Sequence, residues 1–259
     1  MSTHTATAVA INAGDASDDD VLPLGDFFTC RDYAPRTFIF SAPNDDEKKN
    51  DVSVTLDALA AASTDFDLTG QIIWTCSIVT SWYIAHAARS DVMEADVLEL
   101  GAGCGLCGLT AAKFARVVWL TDFEPEVLKI MELNALTHSE GKAHVAPLSW
   151  GDVSNHEALE NITGRKTWRV ILGADVIYWS HAVPLLFSTV AKLLAHDGGV
   201  FICGFTDRVN GLRDATEEAA KSVGLKWTTI PLHTFLPSPL PLELGPHTEK
   251  VTLYRFVWA

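Results

Sequence analysis

Val97-Leu98-Glu99-Leu100-Gly101-Ala102-Gly103-Cys104-Gly105-Leu106-Cys107-Gly108 decides how the rest of the chain is read. A short apolar run, entered through Asp96, passes an acidic residue and becomes a loop with glycine at every second position. Glycine has no Cβ, so the backbone there can turn sharply and approach a ligand closely. A helix starting near Leu106 would aim its unpaired N–H groups and the positive end of its dipole at that ligand. Strand, glycine turn and helix start together form the layout of a nucleotide-type cofactor site on an α/β sheet.

The same residues carry two readings. Gly103-x-Gly105-x-x-Gly108 satisfies the dinucleotide pattern, which points to an NAD-dependent oxidoreductase. Glu99-x-Gly101-x-Gly103-x-Gly105 instead resembles the first motif of the seven-β-strand S-adenosylmethionine (SAM) methyltransferases. A glycine turn without any ligand is the plain alternative. The apolar strand before the loop and the apolar helix after it (Leu106, Leu109, Ala112, Phe114) weigh against that alternative.

With 259 residues, 48% of them hydrophobic, the chain suits one large α/β domain with ample material for a core. No run approaches the roughly 18 apolar residues of a membrane span. The N-terminus lacks the basic-then-apolar pattern of a secretory signal. Five scattered cysteines (Cys30, Cys76, Cys104, Cys107, Cys203) argue against a disulfide scaffold. Cys104-x-x-Cys107 has no second ligand pair, so it reads as small residues filling a turn. A helix N-terminus there would lower the Cys107 thiol pKa and make it sensitive to oxidation. Net charge is −14; residues 1–51 carry 10 acidic and 4 basic residues, which leaves the remainder at −8. Such a surface repels phosphate backbones and favours basic or neutral partners, and no basic stripe with interleaved aromatics suggests nucleic acid.

Residues 1–22 read as a flexible acidic tail ending in Asp18-Asp19-Asp20, and residues 23–259 as a single catalytic domain whose N-terminal extension covers 23–90. Within that extension, Arg36–Phe40 and Val52–Leu56 predict a hairpin joined through the polar stretch Asn44–Asn50. The apolar spacing from Ile72 to Ala85 predicts a helix after Gly70. Strands follow at 96–100, 117–121, 143–148, 169–174 and 199–204, with helices near 106–115, 125–136, 155–160 and 182–196. Strands alternating with helices mean parallel βαβ units and a doubly wound sheet. After a helix over Leu212–Val223, the last two strands (226–232 and 251–257) are joined by a proline-rich loop with no helix, so they pair antiparallel. The expected fold is therefore α/β and Rossmann-like, seven-stranded, with an antiparallel last strand and a hairpin-and-helix extension.

Three strand ends carry candidate chemistry. Asp122 closes the second strand, 21 residues after Gly101, where a carboxylate can accept both ribose hydroxyls. Asp122 before Glu124-Pro125 also suits a helix cap. Leu148-Ser149-Trp150-Gly151-Asp152 ends the third, and Trp150 is equally a wall for an adenine ring or a core side chain. Gly173-Ala174-Asp175-Val176-Ile177-Tyr178 ends the fourth, on the edge where open α/β sheets bind their ligands. No Asn-Pro-Pro-Tyr loop and no glutamate pair follow that strand, and His and carboxylates form no metal-ligand cluster.

Gly70-x-x-x-Trp74, Glu99-Leu-Gly-Ala-Gly-x-Gly-Leu106, Thr121-Asp122, Leu148-x-Trp150-Gly151 and Ala174-Asp175-x-x-Tyr178 occur in this order. Together, over about residues 36–257, the chain resembles methyltransferase family 16, the seven-β-strand protein-lysine methyltransferases. The resemblance implies that Trp74, Glu99, Gly101, Ala102, Gly103, Asp122, Trp150 and Ala174 bind SAM. It further implies that Asp175 and Tyr178 form the acceptor motif and that no metal takes part. Thr75-Cys76 after Trp74 departs from the small or acidic residues of many relatives. Implied partners are a protein substrate of the chaperone, ATPase or translation-factor class, with no nucleic acid and no membrane, and the expected protein is a monomer of the cytoplasm and nucleus. Variable loops at 205–213 and 232–249 would discriminate the substrate. Transfer to histidine, arginine or a small amine, NAD-dependent oxidoreduction, and a catalytically idle SAM-binding scaffold are the competing functions.

Overall fold

The computed structural model describes residues 33–41, 50–59, 66–208, 210–245 and 247–259; for residues 66–68 only the backbone is described. The acidic tail at 1–22 and the hairpin connection at 42–49 lie outside them. Strand β1 (Tyr33–Phe40) pairs antiparallel with β2 (Val52–Leu59), with Tyr33 opposite Leu59 and Phe40 opposite Val52. The pairing runs three residues further than the alternation predicts. Phe38, Phe40, Val52, Val54, Leu56 and Ala58 all turn to one buried side, as a period of two requires.

The body then follows in order: α1 (Thr75–His86), α2 (Arg89–Val92), β3 (Asp96–Leu100), α3 (Leu106–Ala112), β4 (Val117–Asp122), α4 (Pro125–His138) and β5 (Ala143–Pro147). After these come α5 (Val153–Thr163), β6 (Val170–Ala174), α6 (Val183–Leu193), β7 (Val200–Thr206), α7 (Leu212–Ser222), β8 (Leu225–Thr229) and β9 (Val251–Trp258). The sheet order is β5-β4-β3-β6-β7-β9-β8. Strands β3 to β7 are parallel, and β9 lies antiparallel between β7 and β8. This is the doubly wound sheet with the antiparallel ending that the alternation of strands and helices predicts.

Both faces of the inner strands are buried, so β3, β6 and β7 are apolar on both sides. Val97, Val118, Leu120, Val170, Leu172 and Ile202 face the hairpin, α1, α3 and α4. Leu98, Leu100, Ile171, Phe201 and Phe256 face α5, α6 and α7. On that second face Phe187 meets Phe201 and Phe256 edge-on, with centroids 6.1 and 5.2 Å apart. Truncating such a fully buried ring costs about 3–5 kcal/mol. Two helices stop three residues earlier than their apolar spacing predicts. Helix α6 ends at Leu193 because Leu194 leaves it to bridge Trp168, and α3 ends at Ala112, three residues short of Ala115.

From β3 the chain winds outward to β5, then returns to the other side of β3 with β6. The carboxyl ends of β3 and β6 therefore flank a topological switch point, the crevice where such sheets bind ligands.

Asn134 of α4 ties the hairpin to this crevice. Its fully buried amide donates to Asp57 O (2.9 Å) and Cys104 O (3.0 Å) and accepts from Asp57 N–H (2.7 Å). One side chain thus satisfies β2 and the glycine loop together. Asn134→Ala orphans three backbone groups, each worth about 1–3 kcal/mol when buried without a partner, so urea unfolding should show a loss of at least about 2 kcal/mol. Asn134→Asp, which loses both donors, should fall close to the alanine variant.

Candidate active site

The glycine loop leaves β3 with Ala102 N–H donating to Thr121 O (2.9 Å), which fastens it to the end of β4. Gly101 (φ +59°) and Gly103 (φ +56°) both lie in the left-handed region, where a side chain is strained. Space excludes one as well. A Cβ on Gly103 would sit 2.7 Å from Gly70 O, and one on Gly101 would sit 2.8 Å from Val176 and 3.1 Å from the Trp150 ring. Gly70-x-x-x-Trp74 and the loop are therefore in contact because glycine stands at position 103. Trp150 is half-buried, with one edge against Gly101 and the rest on the second core.

Asp122 lies at the end of β4, buried, and three backbone N–H groups converge on it. Gly103 N–H reaches Oδ2 at 3.2 Å; Phe123 N–H and Glu124 N–H reach Oδ1 at 2.8 and 3.3 Å. The helix cap proper is Glu124, with Pro125 in the first turn. Burial raises the Asp122 pKa, and these three donors oppose the rise. A carboxylate offers about four acceptor positions, so Asp122 keeps capacity for a ligand donor.

Glu99 lies deeper. Its carboxylate is buried beneath the first turn of α3 and accepts Gly108 N–H at 2.7 Å. It closes the junction between β3 and α3 from below. A Cβ on Gly108 would meet Glu99 Oε2 at 2.5 Å and Leu120 at 2.1 Å, so that glycine lets helix and sheet close over the carboxylate. Burial pushes Glu99 up to about 8, with the charge of Asp122 adding to the rise and the Gly108 bond opposing it.

Trp74 precedes α1 in an extended conformation (φ −87°, ψ 147°), and its indole N–H donates to Thr69 O at 3.0 Å. The helix starts three residues later than the apolar spacing from Ile72 predicts, because Phe66–Gln71 forms a separate 3-10 turn. Helix α1 packs on β7 at Gly204, where a Cβ would lie 2.5 Å from Thr80 Oγ1 and 2.9 Å from Cys76 Sγ.

Ala174 ends β6, and Asp175 follows in the left-handed region (φ +60°), with its N–H donating to Gly204 O at 2.8 Å. Aspartate is among the few residues that tolerate this conformation. Its buried carboxylate accepts Thr206 N–H (3.2 Å) and a two-pronged bond from Arg208: Nη1 to Oδ1 at 3.2 Å and Nη2 to Oδ2 at 2.6 Å. The Arg208 guanidinium also lies over Trp74, 4.9 Å from the ring centroid. Tyr178 is half-buried near both Asp122 and Asp175, and burial, then those two charges, raise its phenol pKa. Tyr178 packs on Trp179, which is largely exposed.

Gly101, Ala102, Gly103, Asp122, Trp150 and Ala174 thus surround the β3–β6 crevice; Trp74 and Asp175 meet through Arg208, and the charges of Asp122 and Asp175 both act on Tyr178. Glu99 supports them from inside. Arg208 is the member that sequence reading misses. Its one signal is its place in the 205–213 loop, just past the end of β7. The expected low pKa of Cys107 is corrected: the thiol is wholly buried, donates to Ser77 O at 3.3 Å, and is pushed well up by burial and by Glu99.

The family profile described as lysine methyltransferase matches residues 56–221. The mouse protein N-lysine methyltransferase METTL21A is 32% identical over 51% of this chain and 58% of its own. The protein N-terminal and lysine N-methyltransferase efm7 of Aspergillus fumigatus is 31% identical over 49% of this chain and 52% of its own. The chain therefore spans little more than half the length of these two relatives. The mouse histone-arginine methyltransferase METTL23 is 28% identical over 72% of this chain and 74% of its own. Among solved structures, a putative RNA methyltransferase from Pyrococcus horikoshii superposes with a TM-score of 0.52 at 17% identity, covering 79% of this chain and 93% of that one. A putative methyltransferase complexed with S-adenosylhomocysteine (SAH) superposes with a TM-score of 0.52 at 10% identity, covering 78% and 53%.

Glu99 makes stability depend on pH. Its carboxyl ionises near 4.5 when unfolded and near 8 when folded, so the folded state holds the extra proton between those values. Stability is then greatest at the acid end of this window and falls as pH rises towards 8. Glu99→Gln keeps an acceptor for Gly108 N–H and removes the titration. Thermal midpoints measured from pH 5 to pH 8 should fall less steeply in this variant than in the wild type, with the largest gain at pH 8.

Proposed function

The chain belongs to the lysine methyltransferase family, and from that premise we propose that it transfers the methyl group of SAM to the ε-amine of a lysine in a protein substrate. The carrying observation is the crevice between β3 and β6, where the side-chain-free turn at Gly101 and Gly103, the Trp150 edge and the Asp122 carboxylate converge. These residues fit SAM. The turn leaves room for close backbone approach, Trp150 offers an apolar wall for the base, and Asp122 retains acceptor capacity for ribose hydroxyls. Ala174 and Trp74 would border the same ligand, on the side that carries Asp175 and Tyr178.

SAM, when bound, supplies the electrophilic methyl group, so the protein's work is alignment and exclusion of water. A lysine amine has a pKa near 10.4, and only its neutral form carries the attacking lone pair. The raised pKa of Tyr178 keeps its phenol protonated at neutral pH. Its oxygen can then accept an N–H of the incoming amine and turn the lone pair inward, after the amine has released its proton to water. Asp175 shapes this end of the site, with its carboxylate already bonded to Thr206 and Arg208.

Chaperones, ATPases and translation factors remain the proposed substrate class; its translation-factor member is supported by a relative named EEF1A lysine methyltransferase 3. An arginine acceptor is the second reading, favoured by the length of the match to the histone-arginine methyltransferase. The dinucleotide reading of the glycines has lost its ground, because the family is one of methyltransferases.

Incubation with labelled SAM and lysate from cells lacking this protein should place label on lysine in a protein, located by mass spectrometry. Label only on arginine, histidine or small molecules would overturn the proposal. Asp122→Ala removes a charged acceptor, a loss of about 1.5–3 kcal/mol per bond, so calorimetry should show SAH binding weakened at least ~10-fold with the fold intact. Unchanged affinity would remove Asp122 from the cofactor site.

A further inference from the structure

The residue expected to meet the acceptor already holds a cation. The side chain of Asp175 is 4% exposed, while that of Arg208 is 39% exposed, so the carboxylate is sealed inside and the guanidinium forms its outer face. Both prongs of Arg208 are bonded to the carboxylate, and Thr206 N–H fills a further acceptor position. The guanidinium also covers the face of Trp74. The charge of Asp175 also acts on Tyr178, Cys76 and Cys203, all held in their neutral forms by burial. Asp207, the residue before Arg208, is paired with Arg213 at 3.8 Å, and the charge of Asp122 acts on Tyr178.

We propose that Arg208 determines the acceptor class, admitting a titratable primary amine and refusing a guanidinium. This inference rests on the methyltransferase reading above. Three features of the pair lead to it. A substrate guanidinium would need the same fork on Asp175 that Arg208 occupies, and Arg208, tethered to the next loop, competes at a high effective concentration. The aromatic face that would otherwise hold a cation, that of Trp74, is already covered by one. The guanidinium is the outward end of the pair, so a second cation would meet its positive end while the attraction of the carboxylate is already taken by Arg208. A lysine amine escapes this by losing its proton, whereas a guanidinium, with a pKa above 12, cannot. The protein's own arginine stands where an arginine substrate would have to bind.

The test uses butylamine and butylguanidinium, the two side-chain ends without their peptides, titrated into the SAH-loaded full-length protein and followed by NMR. The wild type should prefer butylamine. In Arg208→Gln, which exposes the Asp175 carboxylate, the relative affinity for butylguanidinium should rise at least ~5-fold. In Asp175→Asn, which leaves Arg208 without its counter-charge, it should fall below the wild-type value. Should Arg208→Gln fail to fold by circular dichroism, the Asp175→Asn arm decides alone, because that variant buries no unpaired charge. An unchanged preference in either folded variant overturns the role of Arg208. Failure of the wild type to bind SAH at all is a different result, and would overturn the cofactor reading together with the inference built on it.

Discussion

The contact between Gly103 and Gly70 O is the constraint on which the rest of the site depends. The two backbones come so close that a single methyl group would lie 2.7 Å from the carbonyl oxygen. Dispersion and polar contacts between main chains fall off steeply with distance, so this approach fixes two segments as one surface. Trp74 follows four residues after Gly70, and α1 begins directly after it. The position of Trp74 beside the crevice, and with it that of Arg208 over its ring, is thus set by an absent side chain in another segment. Asn134 then fastens the outer layer through Asp57 and Cys104, so the hairpin is built onto the loop that forms the crevice.

Three buried carboxylates stand around the crevice, and each is stabilised differently. Glu99 receives one helix N–H and stays protonated through much of the neutral range. Asp122 gathers three backbone N–H groups. Asp175 takes a full counter-charge from Arg208. Isolated burial of charge is so unfavourable that each must be neutralised, hydrogen-bonded or paired. The three solutions grade the site from its protein interior to its open face: a neutral acid beneath the loop, an anion with spare acceptor capacity in the crevice, and a closed ion pair at the outer end.

Much of this was legible in the chain, and the rest was hidden for identifiable reasons. Strands β3, β6 and β7 announce themselves because both faces are buried and their apolar runs are short, and the antiparallel ending follows from a connection too poor in helix for a crossover. Gly101, Gly103, Asp122 and Asp175 are legible because each stands at a fixed place after a strand. Trp150 could not be assigned to core or ligand wall from sequence, and the structure shows why: its ring belongs partly to the second core and partly to the edge of Gly101. Asn134 left no local pattern, and Arg208 only its place in the 205–213 loop. Their partners lie 77 and 33 residues away, and only the folded chain reveals that one polar helix residue and one loop cation complete the site.

Glu99 shows how far the same residues serve fold and function together. On the strand it occupies the position where alternation calls for an apolar side chain on the α3 face, between Val97 and the loop. A leucine there would bury more apolar surface but would leave Gly108 N–H without an acceptor under a helix that Gly108 has allowed to come unusually close. The acid is retained at the cost of a raised pKa, and its proton uptake is the measure of that cost. Close packing of α3 against β3 and β4 brings the helix start to Gly105, immediately after the crevice-lining glycines. The burial that raises the Glu99 pKa and the reach of the glycine loop into the crevice are therefore two consequences of one tight junction.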